Sequence, residues 1–146
     1  MRVTVDSSAF AKRYVREHGS DRLESLLQRT SDLSLCVILI PEIISGLNRR
    51  LREGTLGVRN YRKAKGQLLD DVRDATILQI TPAVVSRSVR LLESNALRAM
   101  DALHIACALE WRADVFVTSD LRQLAAAGKA GLHAEYIGRR NEIPER

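Results

Sequence analysis

Two hydrophobic periods alternate along this chain, and their alternation predicts its architecture. Four apolar, β-type runs, RVTV (2–5), LSLCVILI (33–40), ATILQI (75–80) and ADVFVTSD (113–120), are separated by stretches with apolar residues at helical spacing. The spacing predicts a helix over 7–17, closed by His18-Gly19, and another from about Ser20 and Asp21 carrying Leu23, Leu26 and Leu27. Pro41 stands where the first residue of a helix would, opening EIISGLNRRLRE up to Gly54. Further helices are expected over the polar 58–74, from Pro82 to Asn95, over the apolar 98–112, and in LRQLAAAGKAG.

Strands alternating with helices imply parallel pairing through right-handed crossovers. The expected fold is therefore α/β: a three-layer α/β/α domain around a central parallel sheet of four to five strands. The fifth strand depends on HAEYI (133–137). Residues 1–138 read as one domain and 139–146 as a C-terminal tail. In such a sheet the functional crevice lies beyond the carboxyl ends of the strands.

Four carboxylates share that address. Asp6 ends the first strand, Glu42 follows the second, and Asp120 ends VFVTSD. Each also has a structural explanation: Asp6 and Asp120 as helix N-caps, Glu42 as an acid favoured by the helix dipole. Asp101 is harder to explain that way. Between Ala99 and Leu109 the only polar side chains are Asp101 and His104, on a helix otherwise made of Ala, Leu, Ile, Met and Cys. An all-round apolar helix is a buried one, and a carboxylate there is costly unless paired or bound to metal. His104, three residues on, is a candidate partner. Converging carboxylates repel one another unless a cation sits among them, and all-oxygen ligation suits Mg²⁺ or Mn²⁺. Ser7, Thr118 and Ser119, beside the acids, either hold metal-bound water or serve as turn residues.

Composition narrows the choice. The 146 residues suffice for one domain with a sizeable core, and 4% aromatic content argues against binding that works chiefly by base stacking. The net charge is +5, and all basic residues except Lys12, Lys63, Lys65 and Lys129 are Arg. Guanidinium groups suit phosphate, but codon bias explains the same excess. Arg49, Arg50 and Arg52, on the helix bearing Glu42, are candidates for RNA or partner contact, or for an ordinary solvated face. Cys36 and Cys107 lie in apolar runs and read as buried free thiols; with His18, His104 and His133 scattered singly, no zinc spacing arises. Met1 leads directly into RVTVDSS, and no apolar run approaches a membrane span, so a cytoplasmic protein with no membrane partner is expected.

With VDSSAFAKRY, IPEIISGLNRRLREGTL, LRAMDALHIACAL and VFVTSDLRQL in this order, the sequence resembles a PIN-domain ribonuclease, and more narrowly a VapC-type toxin of a toxin–antitoxin pair. The resemblance runs from residue 3 to about 124. It implies that Asp6, Glu42, Asp101 and Asp120 correspond to the family's four acids, with Asp6, Asp101 and Asp120 holding Mg²⁺ or Mn²⁺. It also implies cleavage of single-stranded or loop RNA, a homodimer, and a small antitoxin that covers the acidic pocket. The reaction expected is metal-assisted phosphodiester hydrolysis, leaving 5′-phosphate and 3′-hydroxyl ends. Three rivals remain: a phosphotransfer receiver domain, a haloacid-type phosphatase, and a non-enzymatic RNA- or protein-binding module. The receiver lacks an Asp in ATILQI and a Lys just after VFVTSD, and the phosphatase lacks DxD, since position 8 is Ser.

Overall fold

The computed structural model describes residues 1–143. Five strands, β1 (Arg2–Val5), β2 (Asp32–Cys36), β3 (Thr76–Leu78), β4 (Val115–Thr118) and β5 (Ala134–Tyr136), form one sheet in the order β3-β2-β1-β4-β5. Every pairing is parallel. HAEYI does supply the fifth strand, with Phe116 opposite Ala134 and Thr118 opposite Tyr136. The helices are α1 (Ser7–Phe10), α2 (Ser20–Gln28), α3 (Leu39–Arg52), α4 (Val58–Asp74), α5 (Pro82–Ser94), α6 (Ala99–Trp111) and α7 (Leu121–Lys129).

Strand alternation divides the interior into two cores. Val3, Val5, Leu35, Val115 and Val117 pack with residues of α1 to α4, among them Phe10, Leu23, Leu39, Ile43 and Leu68. Cys36 and Phe116, on the opposite face, pack with Val84, Leu91, Ile105, Ala106, Ala126 and Ala127 of α5, α6 and α7. This is the expected α/β/α sandwich. The Cys36 and Cys107 thiols are buried and free, with sulfurs 3.4 Å apart.

The chain builds β2 and β3 on one side of β1, then crosses to build β4 and β5 on the other. The topological switch therefore lies between β1 and β4, and a crevice opens beyond their carboxyl ends.

Three boundaries differ from the sequence reading. LSLCVILI is not one strand, because β2 ends at Cys36 and α3 begins at Leu39. Leu39, Ile43 and Leu47 then form a buried stripe at helical spacing. Pro41 sits at the third position of α3 instead of the first, still within the opening turn where backbone N–H groups lack helical acceptors. The helix expected over 7–17 stops at Phe10 and passes into a 3₁₀ turn, Ala11–Arg13. The chain turns back there because the buried Lys12 ammonium is tied to the His18 carbonyl (2.9 Å), while the Ser20 hydroxyl donates to the Lys12 carbonyl (2.8 Å). Gly19, at φ 92°, opens α2 with its α-carbon against Ile137: an added Cβ would stand 2.9 Å from Ile137 Cγ2. The expected tail contains a 3₁₀ turn, Arg140–Glu142, and its last three positions lie outside the described residues.

Candidate active site

Asp6, Glu42, Asp101 and Asp120 all line one cavity of about 400 Å³ at the carboxyl ends of β1 and β4. Asp6 is fully buried and caps α1, its Oδ1 accepting from the Ala9 backbone N–H at 3.0 Å. The Ser8 hydroxyl donates to both of its oxygens (2.9 and 2.8 Å), and Thr118 Oγ1 (2.8 Å) and Gln123 Nε2 (2.7 Å) donate to Oδ2. Burial still outweighs the charge of His104 and these hydrogen bonds, and holds the Asp6 pKa above the ordinary carboxylate value.

Asp120 caps α7, its Oδ1 accepting from the backbone N–H groups of Arg122 (2.8 Å) and Gln123 (3.1 Å). Capping and site placement are thus compatible for both residues. One rail of hydroxyls joins them: Thr118 Oγ1 accepts from the Asp120 N–H at 3.0 Å, and Ser8 Oγ accepts from the Ser119 N–H at 3.0 Å. Ser119 enters this network through its backbone.

Asp101 projects from the first turn of α6. Its pKa is raised by burial and next by the Asp120 charge, with Glu42 adding to the effect. Its hydrogen bond comes from Gln123, whose amide nitrogen donates to Asp101 Oδ1 (3.1 Å) and to Asp6 Oδ2 (2.7 Å). The candidate Asp101–His104 pairing does not form. The His104 ring turns to Glu42 instead, with Nε2 2.6 Å from Oε1, and Ser7 Oγ donates to the same oxygen at 2.7 Å while lying 3.1 Å from Nε2. Residues 101 and 104 share a helix face, but Glu42 of α3 offers His104 a carboxylate instead. Burial alone would raise the Glu42 pKa; the His104 hydrogen bond and charge, with the Ser7 bond, overcome it and lower the value. For His104, burial works against the charged form, and Glu42 and Asp6 overcome it and raise the pKa.

Sequence reasoning missed Ser8, Gln123 and Arg98. Gln123 had a usable signal: it lies three and four residues before the buried Ala126 and Ala127, so it occupies the apolar face of α7 and is itself 3% exposed. Arg49, Arg50 and Arg98 line the cavity with the acids. Arg52 does not; it lines an adjoining groove with Arg49, Arg98, Pro41 and Met100.

The donor chemistry suits a hard divalent ion, since the cavity is lined by four carboxylates, and the Gln123 amide already sets a partial positive charge between two of them. As arranged, however, no three His, Cys, Asp or Glu side chains among the described residues stand together as a ready metal cluster. The amide lies between Asp6 and Asp101.

Residues 3–129 match the family model described as PIN domain, and the chain belongs to that family. No curated protein sequence matches it. Solved structures with the same fold include FitAcB from Neisseria gonorrhoeae, with 15% identity, a TM-score of 0.69, and coverage of 90% of this chain and 95% of that one. VapC20 from Mycobacterium tuberculosis, a sarcin–ricin loop cleaving toxin, has 17% identity, a TM-score of 0.66, and coverage of 89% and 95%. PAE2754 from Pyrobaculum aerophilum has 19% identity, a TM-score of 0.69, and coverage of 92% and 83%. No helix among the described residues is long and apolar enough to cross a membrane.

The His104–Glu42 contact predicts a pH window of stability. With its folded pKa raised, His104 contributes fully below its ordinary 6.5 and loses that contribution as pH rises through the folded value. With its folded pKa lowered, Glu42 contributes above its ordinary 4.5 and loses it as pH falls through the folded value. Urea melts in EDTA of wild type and His104→Gln should differ most between those two ordinary values, by about 1.5–3 kcal/mol. A difference that does not vary with pH would contradict the ion pair.

Proposed function

We propose that this chain is a metal-dependent endoribonuclease, the toxin of a type II toxin–antitoxin pair. The observation that carries the reading is the convergence of Asp6, Glu42, Asp101 and Asp120 on one cavity whose lining also includes Arg49, Arg50 and Arg98. Membership of the PIN-domain family supports it, as does the sarcin–ricin loop cleaving toxin from M. tuberculosis among its structural neighbours.

Asp6, Asp101 and Asp120 would hold Mg²⁺ or Mn²⁺, with Glu42 as a further ligand or as the group that orients the attacking water. A bound ion supplies the Lewis acidity and lowered water pKa that in-line hydrolysis of a phosphodiester needs. The protein's own part is placement. His104 and Ser7 fix the Glu42 carboxylate, so that it meets the water in one orientation. Ser8 and Thr118 hold Asp6 by hydrogen bonds at the end of the central strand. Arg49, Arg50 and Arg98, with Arg52 in the adjoining groove, offer donors to successive phosphates, and affinity should fall as salt rises. This role places the chain in the cytosol with its substrate.

Two partners go with the reading. One is a small antitoxin covering the acidic cavity, as suggested by neighbours that include a toxin–antitoxin complex from Klebsiella pneumoniae, with 15% identity. The other is a second copy of the chain. Val85, Val89 and Leu92 form an exposed stripe along α5 at helical spacing, with Met100 exposed at the start of α6.

Wild-type protein with Mn²⁺ should cut RNA to 5′-phosphate and 3′-hydroxyl ends, and Asp101→Asn should lose at least about a hundredfold in rate, since metal-bound carboxylates act in the transition state. Full cleavage by Asp101→Asn would remove that residue from the mechanism, and binding without cleavage by wild type would favour the non-enzymatic module. Sedimentation should give a dimer that Val89→Asp converts to monomer; a wild-type monomer at micromolar concentration would reject the self-association.

A further inference from the structure

The Gln123 side chain is almost wholly buried, and its two ends are unequally served. Its Nε2 donates to Asp6 Oδ2 at 2.7 Å and to Asp101 Oδ1 at 3.1 Å, whereas its Oε1 is buried without a partner. A buried amide oxygen left unpaired is costly, so something must hold the amide in that orientation. The two carboxylates do: turned over, the amide would present its oxygen to theirs. An –NH₂ group spanning two acids, one from the end of β1 and the other from α6, therefore supplies the only hydrogen bond that Asp101 receives among the described residues and ties it to Asp6.

We propose that Gln123 is a built-in competitor for the divalent ion, its amide standing between Asp6 and Asp101 and giving way when the ion binds. The inference rests on the metal-dependent reading above. The bridge holds two acids in register without a cation, so the free cavity does not spring apart under their repulsion. That same bridge must be broken before both acids can ligate, which weakens ion affinity. Metal affinity is then set in part by a neutral side chain on α7 that is not itself one of the acids.

Calorimetric titration of Mn²⁺ into the full chain at pH 8, with a parallel thermal melt in EDTA, separates these roles. Gln123→Met keeps the volume and removes both N–H groups. It should bind Mn²⁺ about tenfold more tightly than wild type, the scale set by losing charge-assisted bonds that compete with the ion, while melting earlier in EDTA and close to wild type in Mn²⁺. Gln123→Leu likewise lacks both N–H groups and adds no ligand, and should shift in the same directions; it stands as the second variant if Gln123→Met does not fold. Weaker or unchanged Mn²⁺ affinity in the folded variant would overturn the proposal, the former making Gln123 a ligand. Wild type that binds no Mn²⁺ at all would overturn the metal reading and this inference together; wild type that binds while the variants do not bind more tightly would overturn this inference alone.

Discussion

Asp6 is a carboxylate with no solvent exposure, set at the carboxyl end of the central strand, and most of the surrounding architecture can be traced to the need to accommodate it. Removing a carboxylate from water costs several kcal/mol unless hydrogen bonds or opposite charge compensate its oxygens. Here the bonds come from α1, from the end of β4 and from α7. One buried charge thus pins three elements to β1, including the strand across the topological switch. Even so its pKa stays raised, because burial exceeds what hydrogen bonds return. The site retains an appetite for positive charge, and this follows from fold position alone.

The other acids divide into two subsystems around that centre. Asp101 stays electrostatically strained by burial and by the Asp120 and Glu42 charges, which His104 and Arg98 only partly offset, while the Gln123 amide donates to it. Glu42 is relaxed: His104 and Ser7 hold it as a carboxylate. One subsystem is thereby suited to receiving a cation and the other to keeping a charged base in fixed orientation. That division is the physical content of a site in which four similar side chains need not do the same work.

Much of this was legible in the sequence. Alternating strand and helix periods gave the parallel sheet and its layers, since short β-type runs alternate with stretches whose apolar residues recur at helical spacing. The carboxyl-end rule then placed the acids, because Asp6 and Asp120 close their strands and Asp101 is one of two polar groups on an apolar helix. What failed, failed for local reasons. An apolar run such as LSLCVILI satisfies strand and buried-helix patterns equally, and only the short partner β3 and the Leu39–Ile43–Leu47 stripe decide where one stops. His104 could be placed on the face of Asp101 but not assigned a partner from another helix. Gln123 went unread because a lone amide gives no chemical signal until its two neighbours, 117 and 22 residues away in sequence, are in view.

The central claim is that carboxylates from separate elements meet to hold a hard divalent ion. A crystal of the protein soaked in Mn²⁺, measured for anomalous scattering, tests it most directly. The account predicts one strong peak in the cavity, between Asp6, Asp101 and Asp120. A cavity with no peak in a crystal whose Mn²⁺ scatters elsewhere would contradict it.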